Sequence, residues 1–218
     1  MKKTTSRTVI LFLASFTLLL QACASTHITR RDLDSIQTIQ VARYKTPDFE
    51  IKTLAGVIVN TIGAGAIIPT LVAPALDKST TKRNTIGTIF PDYGELLVKD
   101  FIRIAPQAIR GWPKMVEANN PVERSYEYKD GALIVFDIKQ VWLTIVGGIT
   151  VSGYITMRNP NGSQILKRTF WYRSVDFGLK KSGDEYIADN CKLLLEEMPL
   201  AAEHTARELI IDPLKEGM

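Results

Sequence analysis

Apolar positions change their period along the chain. Ile149, Val151, Ile155 and Met157 alternate with Thr150, Ser152 and Thr156, the two-residue repeat of a half-buried strand. Asn159-Pro160-Asn161-Gly162 then reads as a hairpin turn, with glycine where positive φ is wanted. Gln164 to Ser174, rich in Phe170, Trp171 and Tyr172, predicts the returning strand. Leu133-Ile134-Val135-Phe136 is apolar on both faces, as a central strand should be. Val141 to Val146 continues that strand or opens a second, and Gly147-Gly148 makes the turn. Ile36 to Arg43 predicts a first strand, ended by Thr46-Pro47.

Elsewhere the period is helical. Tyr93, Leu97, Phe101, Ile104 and Ala108 share one face, with Asp92 placed to cap the start and Glu95 to complete a capping box. Pro106 bends or finishes this helix, and Gly111-Trp112-Pro113 ends it. Lys114 to Gly131 is polar and irregular, with Asn119-Asn120-Pro121 as a turn signal. Near the end, Ile187, Cys191, Leu194, Leu195, Met198, Ala202, Thr205 and Leu209 form a stripe that leaves Glu196, Glu197, Arg207 and Glu208 outside it. Pro199 implies a kink or restart there. The order of elements predicts an α+β domain over residues 36–218: a mainly antiparallel sheet of about four strands, helices on one face, and a long C-terminal helix.

Thr53 to Leu76 fits neither period. It carries no charge and contains Gly56, Gly63, Gly65, Pro69 and Pro74. Three readings compete: a buried helix with an apolar loop, an exposed apolar hairpin touching membrane or partner, and a membrane span. The prolines, the glycines and Asn60 weigh against a span. Gly63-x-Gly65 lacks the third glycine of a dinucleotide fingerprint.

Composition changes the picture at the N-terminus. Lys2, Lys3 and Arg7 precede an apolar run from Val9 to Leu20, the layout of a secretory signal and too short to span a bilayer. Removing the three bases leaves 24 against 23 acids, so the formal +4 largely belongs to the signal. A nearly neutral body gives no basic face for nucleic acid, and none is expected as a partner. Leu20-Gln21-Ala22-Cys23 resembles the lipobox of bacterial lipoproteins, Gln21 standing where a small residue, Ser or Thr is commoner. The resemblance implies cleavage before Cys23, diacylglycerol on its thiol and acylation of the new amino end. Two or more acyl chains make anchoring stable where one does not. Ala24, where inner-membrane lipoproteins of enteric bacteria often have Asp, implies the outer membrane. Ala24 to about Ser35 is expected to be a polar tether. Cys191, then the remaining thiol, is expected on the buried helix face.

Candidate chemistry is sparse. His27 lies in the expected tether, and His204 is expected to face solvent with a local contact to Glu208. Two ligands do not make a four-coordinate metal site. Asp32 and Asp34 read as solvated. No nucleophile elbow, zinc helix or phosphate loop is present, so no catalytic residue, cofactor or metal is expected. Trp142 and Trp171 are assigned to the core as large aromatics. Tyr154, on the polar register of its strand, is placed on a contact face. The expected function is a non-enzymatic, lipid-anchored outer-membrane protein facing the periplasm, moored through Cys23 and binding an envelope protein. Ile58, Ile62, Ile67, Leu71 and Tyr154 are the candidate contacts. In element order the body is loosely similar to small auxiliary lipoproteins of envelope transport systems. Acyl-chain binding and a hydrolase with a scattered site are the alternatives.

Overall fold

The computed structural model describes residues 28–52, 91–144, 148–179, 181 and 183–218. Its elements are α1 (Arg30–Asp34), β1 (Thr38–Arg43), β2 (Glu50–Lys52), α2 (Tyr93–Ala108), β3 (Lys114–Glu117), β4 (Ala132–Thr144), β5 (Gly148–Arg158), β6 (Gln164–Arg173), α3 (Gly183–His204) and α4 (Asp212–Glu216). A 3₁₀ turn at Ser174–Phe177 follows β6, and a π-helical stretch at Thr205–Ile211 joins α3 to α4. The α+β class and the long C-terminal helix are those expected. The sheet differs. It is mixed, ordered β3-β1-β4-β5-β6, with β2 beside β4 beyond the end of β1. β1 runs parallel to both β3 and β4, while β4, β5 and β6 are antiparallel. Sequence periodicity does not encode direction, and β1 reaches β4 only through the intervening α2. β3 is hidden because its exposed edge carries only Met115 and Val116 as apolar residues.

Alternation and one irregularity set the two faces. Ile134, Phe136 and Ile138 point to the inner core, and so do Val141 and Leu143. The register shift between Ile138 and Gln140 inserts Lys139 as an extra residue and so resets the parity. β4 is therefore one strand of 13 residues. Opposite the shift stands Gly153, where a Cβ would lie 2.6 Å from the Asp137 carbonyl oxygen and 2.9 Å from the Phe170 ring. Only glycine lets the backbones approach this closely.

α2 covers the inner face as its spacing predicts, burying Tyr93, Leu97, Phe101, Ile104 and Ala105. Asp92 Oδ1 caps it by accepting from Gly94 N at 2.9 Å and Glu95 N at 3.3 Å. Glu95 pairs with Lys99 at 2.6 Å rather than closing a capping box. Pro106 is accommodated within the helix, and Ile109 N still reaches Ala105 O at 3.0 Å. Phe101 packs edge-on against Phe136 and Trp112, with ring centroids 5.3 and 6.1 Å away; each such pair adds about 0.5–1.5 kcal/mol beyond area burial.

Part of the expected tether is packed on the body: Ile28 and Leu33 are buried and α1 begins at Arg30. Thr29 and Asp32 form a reciprocal capping box, their hydroxyl and carboxylate 2.7 Å apart. These bonds hold the Asp32 carboxyl below its ordinary range. In α3 the helix passes Pro199 unbroken, and the irregularity falls instead at Thr205–Ile211. The wider π turn rotates the apolar stripe, burying Ala206, Ile210 and Ile211 and leaving Leu209 half-buried. The side chains of Ile187 and Cys191 lie outside the described ones.

Candidate functional site

The outer sheet face is divided. Over β1 and the start of β4, residues 118–128 fold across Ala42, Leu133 and Val135, bringing Ala118, Val122, Tyr126 and Tyr128 into a second apolar cluster. Val122 N bonds Arg43 O at 2.9 Å, Asn120 Oδ1 accepts from Arg43 N at 2.8 Å, and Tyr126 OH donates to Gln40 at 2.5 Å. No described element covers the face over the rest of β4, β5 and β6.

That open half is rich in rings and cations. Asp137, 3% exposed, accepts from Lys139 Nζ at 2.8 Å and lies 3.4 Å from Arg124 Nη1. Lys139 and Lys167 stand over the Tyr154 ring at 4.9 and 5.6 Å, and Arg124 stands over Tyr44 at 5.0 Å. The bond to Asp137 raises the pKa of Lys139, and Tyr154, then Asp137, raises that of Arg124. Two cations thus flank one carboxylate, and a third stands over the neighbouring Tyr154 ring. Trp171 faces Ser152 across the β5–β6 pair and is 57% exposed. Trp142, opposite Thr150 in β5, is half-buried on the same face. Such a surface offers ring faces and surplus positive charge.

The core assignment of Trp142 and Trp171 is corrected by this geometry. Trp171 shares its register with Lys167, Thr169 and Arg173, so alternation within β6 already carried the signal that ring size overrode. Tyr154 lies half-buried on the open face. Cys23, Ile58, Ile62, Ile67 and Leu71 lie outside the described residues.

A second group was missed entirely. Glu197, placed outside the apolar stripe by its helical spacing, is 4% exposed. It accepts from Ser174 Oγ at 2.5 Å and from Tyr186 OH. Ser174 Oγ also accepts from Ile149 N at 2.8 Å. Burial, and then the Glu197 charge, pushes the Tyr172 phenol up to about 12, while burial and the bond to Glu197 raise Tyr186. Ser174 and Tyr186 have no exposed surface, so the group ties α3 to the sheet and presents no nucleophile to solvent. His204 is half-buried against Phe177, at 4.7 Å between centroids, with Nδ1 2.8 Å from Glu208. Among the described residues no group of three His, Cys, Asp or Glu side chains could hold a metal ion. A cleft of about 200 Å³ lies between residues 45–49, Pro91–Tyr93, Val141 and Met198.

No protein-family model matches the chain, and no curated protein does. Among solved structures it is similar to protein XCC0632 from Xanthomonas campestris, described with the family DUF330, at 10% identity and a TM-score of 0.40, covering 88% of each chain. A second structure, described as an uncharacterized protein, has 16% identity and a TM-score of 0.29, covering 79% of this chain and 89% of that one.

Proposed function

We propose that the chain is a lipid-anchored lipoprotein of the outer membrane, facing the periplasm, whose folded body binds another envelope protein. Cys23 carries the acyl anchor. The contact face is the open half of the sheet around Tyr154 and Trp171. One observation carries this reading: a tryptophan more than half exposed beside a tyrosine under two lysines, on a face that no described element covers while its other half is sealed. Large aromatics such as Trp and Tyr are enriched where proteins meet.

The test is site-specific cross-linking in native envelopes. A photoreactive residue at Trp171 should capture one defined protein in near-stoichiometric amount, and the same residue at Lys192, on α3, should not. Equal capture at both positions, or none at Trp171, removes the reading. Mooring is checked separately by intact mass, which should show diacylglyceryl and acyl additions on a chain that begins at Cys23. Among the described residues no helix is long and apolar enough to cross a membrane.

A further inference from the structure

The described part of the folded body comes close to Cys23 in sequence. Ile28 is 2% exposed and packs in the main core with Leu33 and Ile36. Only Ala24, Ser25, Thr26 and His27 separate it from the lipobox cysteine. Fully extended, the chain from Cys23 to Ile28 reaches at most about 18 Å. β4 alone, at about 3.3 Å per residue, spans about 40 Å. A body held on so short a lead cannot turn its far end to the bilayer.

The near end is a definite surface. β1, β3 and β4 all begin there, since Thr38 pairs with Lys114 and Ile39 with Ala132. β5 finishes there, with Arg158 opposite Leu133. α1 lies against the loop after α2, where Arg30 Nη1 donates to the Arg110 carbonyl and Gly111 takes a φ of 71° beneath the guanidinium. Arg31, Arg110, Lys114, Lys129 and Arg158 are all exposed at this end, and none has an ion-pair partner among the described residues. Among the acids near them, Asp32 is folded back on Thr29 and Asp34 pairs with Arg30 at 3.4 Å, while Glu127 and Asp130 are exposed beside Lys129.

We propose that this end of the sheet is the membrane-apposed surface of the protein, seated on anionic phospholipid headgroups. The proposal rests on the lipidation of Cys23 put forward above. The sheet then stands away from the bilayer, and the open face around Trp171 looks sideways into the surrounding space. Electrostatic attraction acts over about a Debye length, roughly 8 Å at physiological salt. The short lead therefore lets the basic groups settle within range of a charged leaflet.

The test uses the mature lipidated protein, reconstituted in phosphatidylethanolamine–phosphatidylglycerol vesicles and treated with a membrane-impermeant amine-acylating reagent. Peptide mass spectrometry should show Lys114 and Lys129 labelled about threefold less than in detergent micelles, with Lys139 and Lys167 unchanged. Replacing the anionic lipid with phosphatidylcholine should abolish most of that protection, as should inserting about fifteen Gly and Ser residues after Ser25 at roughly 0.5 M salt. Equal labelling of all four lysines on the anionic vesicles, or protection of Lys139 and Lys167 instead, overturns the orientation. Undiminished protection on phosphatidylcholine overturns the headgroup claim. Intact mass on the same sample separates these results from a failure of the anchor, which would appear as a bare Cys23 sulfur.

Discussion

β4, β5 and β6 present two unlike surfaces from one stretch of backbone. The inner carries Phe136, Ile138, Val151, Ile155 and Phe170 under α2 and α3. The outer, one residue away at each step, carries Asp137, Lys139, Tyr154, Lys167 and Trp171. Inner side chains are specified by packing and outer ones by charge and exposure. Substitutions on the two sides should therefore fail in different assays: inner ones in stability, outer ones in binding.

The largest separation should come from Phe136→Ala, which removes the ring packed on Phe101. A loss of about 3–5 kcal/mol in denaturant unfolding is expected. A smaller loss would mean that α2 closes over the gap. Glu197→Ala should follow at about 2–4 kcal/mol, because two buried hydroxyls lose their acceptor. Glu197→Gln, which keeps an acceptor, should recover part of it.

The inner side also sets an alkaline limit. Tyr172 ionises near pH 10 in the unfolded chain and only at about 12 in the folded one. Its contribution is therefore complete below pH ~10 and declines as pH rises toward 12, since the unfolded chain gives up its proton first. Urea midpoints at roughly pH 9 and 11.5 should diverge less in Tyr172→Phe than in the parent. Tyr186, raised in the same way, maintains the remainder.

Thr29→Ala, at the near end of the sheet, should cost about 1 kcal/mol through the lost cap. Trp171→Ala should change stability by no more than about 0.5 kcal/mol yet abolish cross-linking to the partner. A Trp171→Ala protein that unfolds early would place the ring in the core after all and erase the contrast between the faces.

The hairpin of β5 and β6 and the face of α2 were legible because each repeats a local period. Gly162 at a φ of 85° confirms the turn after Asn159. β3 and the parallel sense of β1 were not, since pairing partners far apart in sequence leave no periodic trace. Thr29-x-x-Asp32 was legible as a cap in principle, but the polar surroundings suggested a tether. Glu197 was hidden for another reason. Its burial depends on hydroxyls from Ser174 and Tyr186, which arrive from the 3₁₀ turn and an earlier part of α3. For the candidate face, Tyr154 followed from alternation, whereas Trp171 was misjudged by applying ring size before strand parity.

The parallel placement of β1 bears on how such a chain would be made. β4, β5 and β6 zip together through neighbouring hairpins, but the first strand must wait for partners synthesised much later, Lys114 to Glu117 and Ala132 to Phe136. A chain exported from its N-terminus would hold Ile39 and Val41 unsatisfied throughout that delay, beside whatever surface its leading end had met. Newly exported copies would need an escort until the third strand and the fourth emerge, and slowing export should raise clumping through this segment before any other.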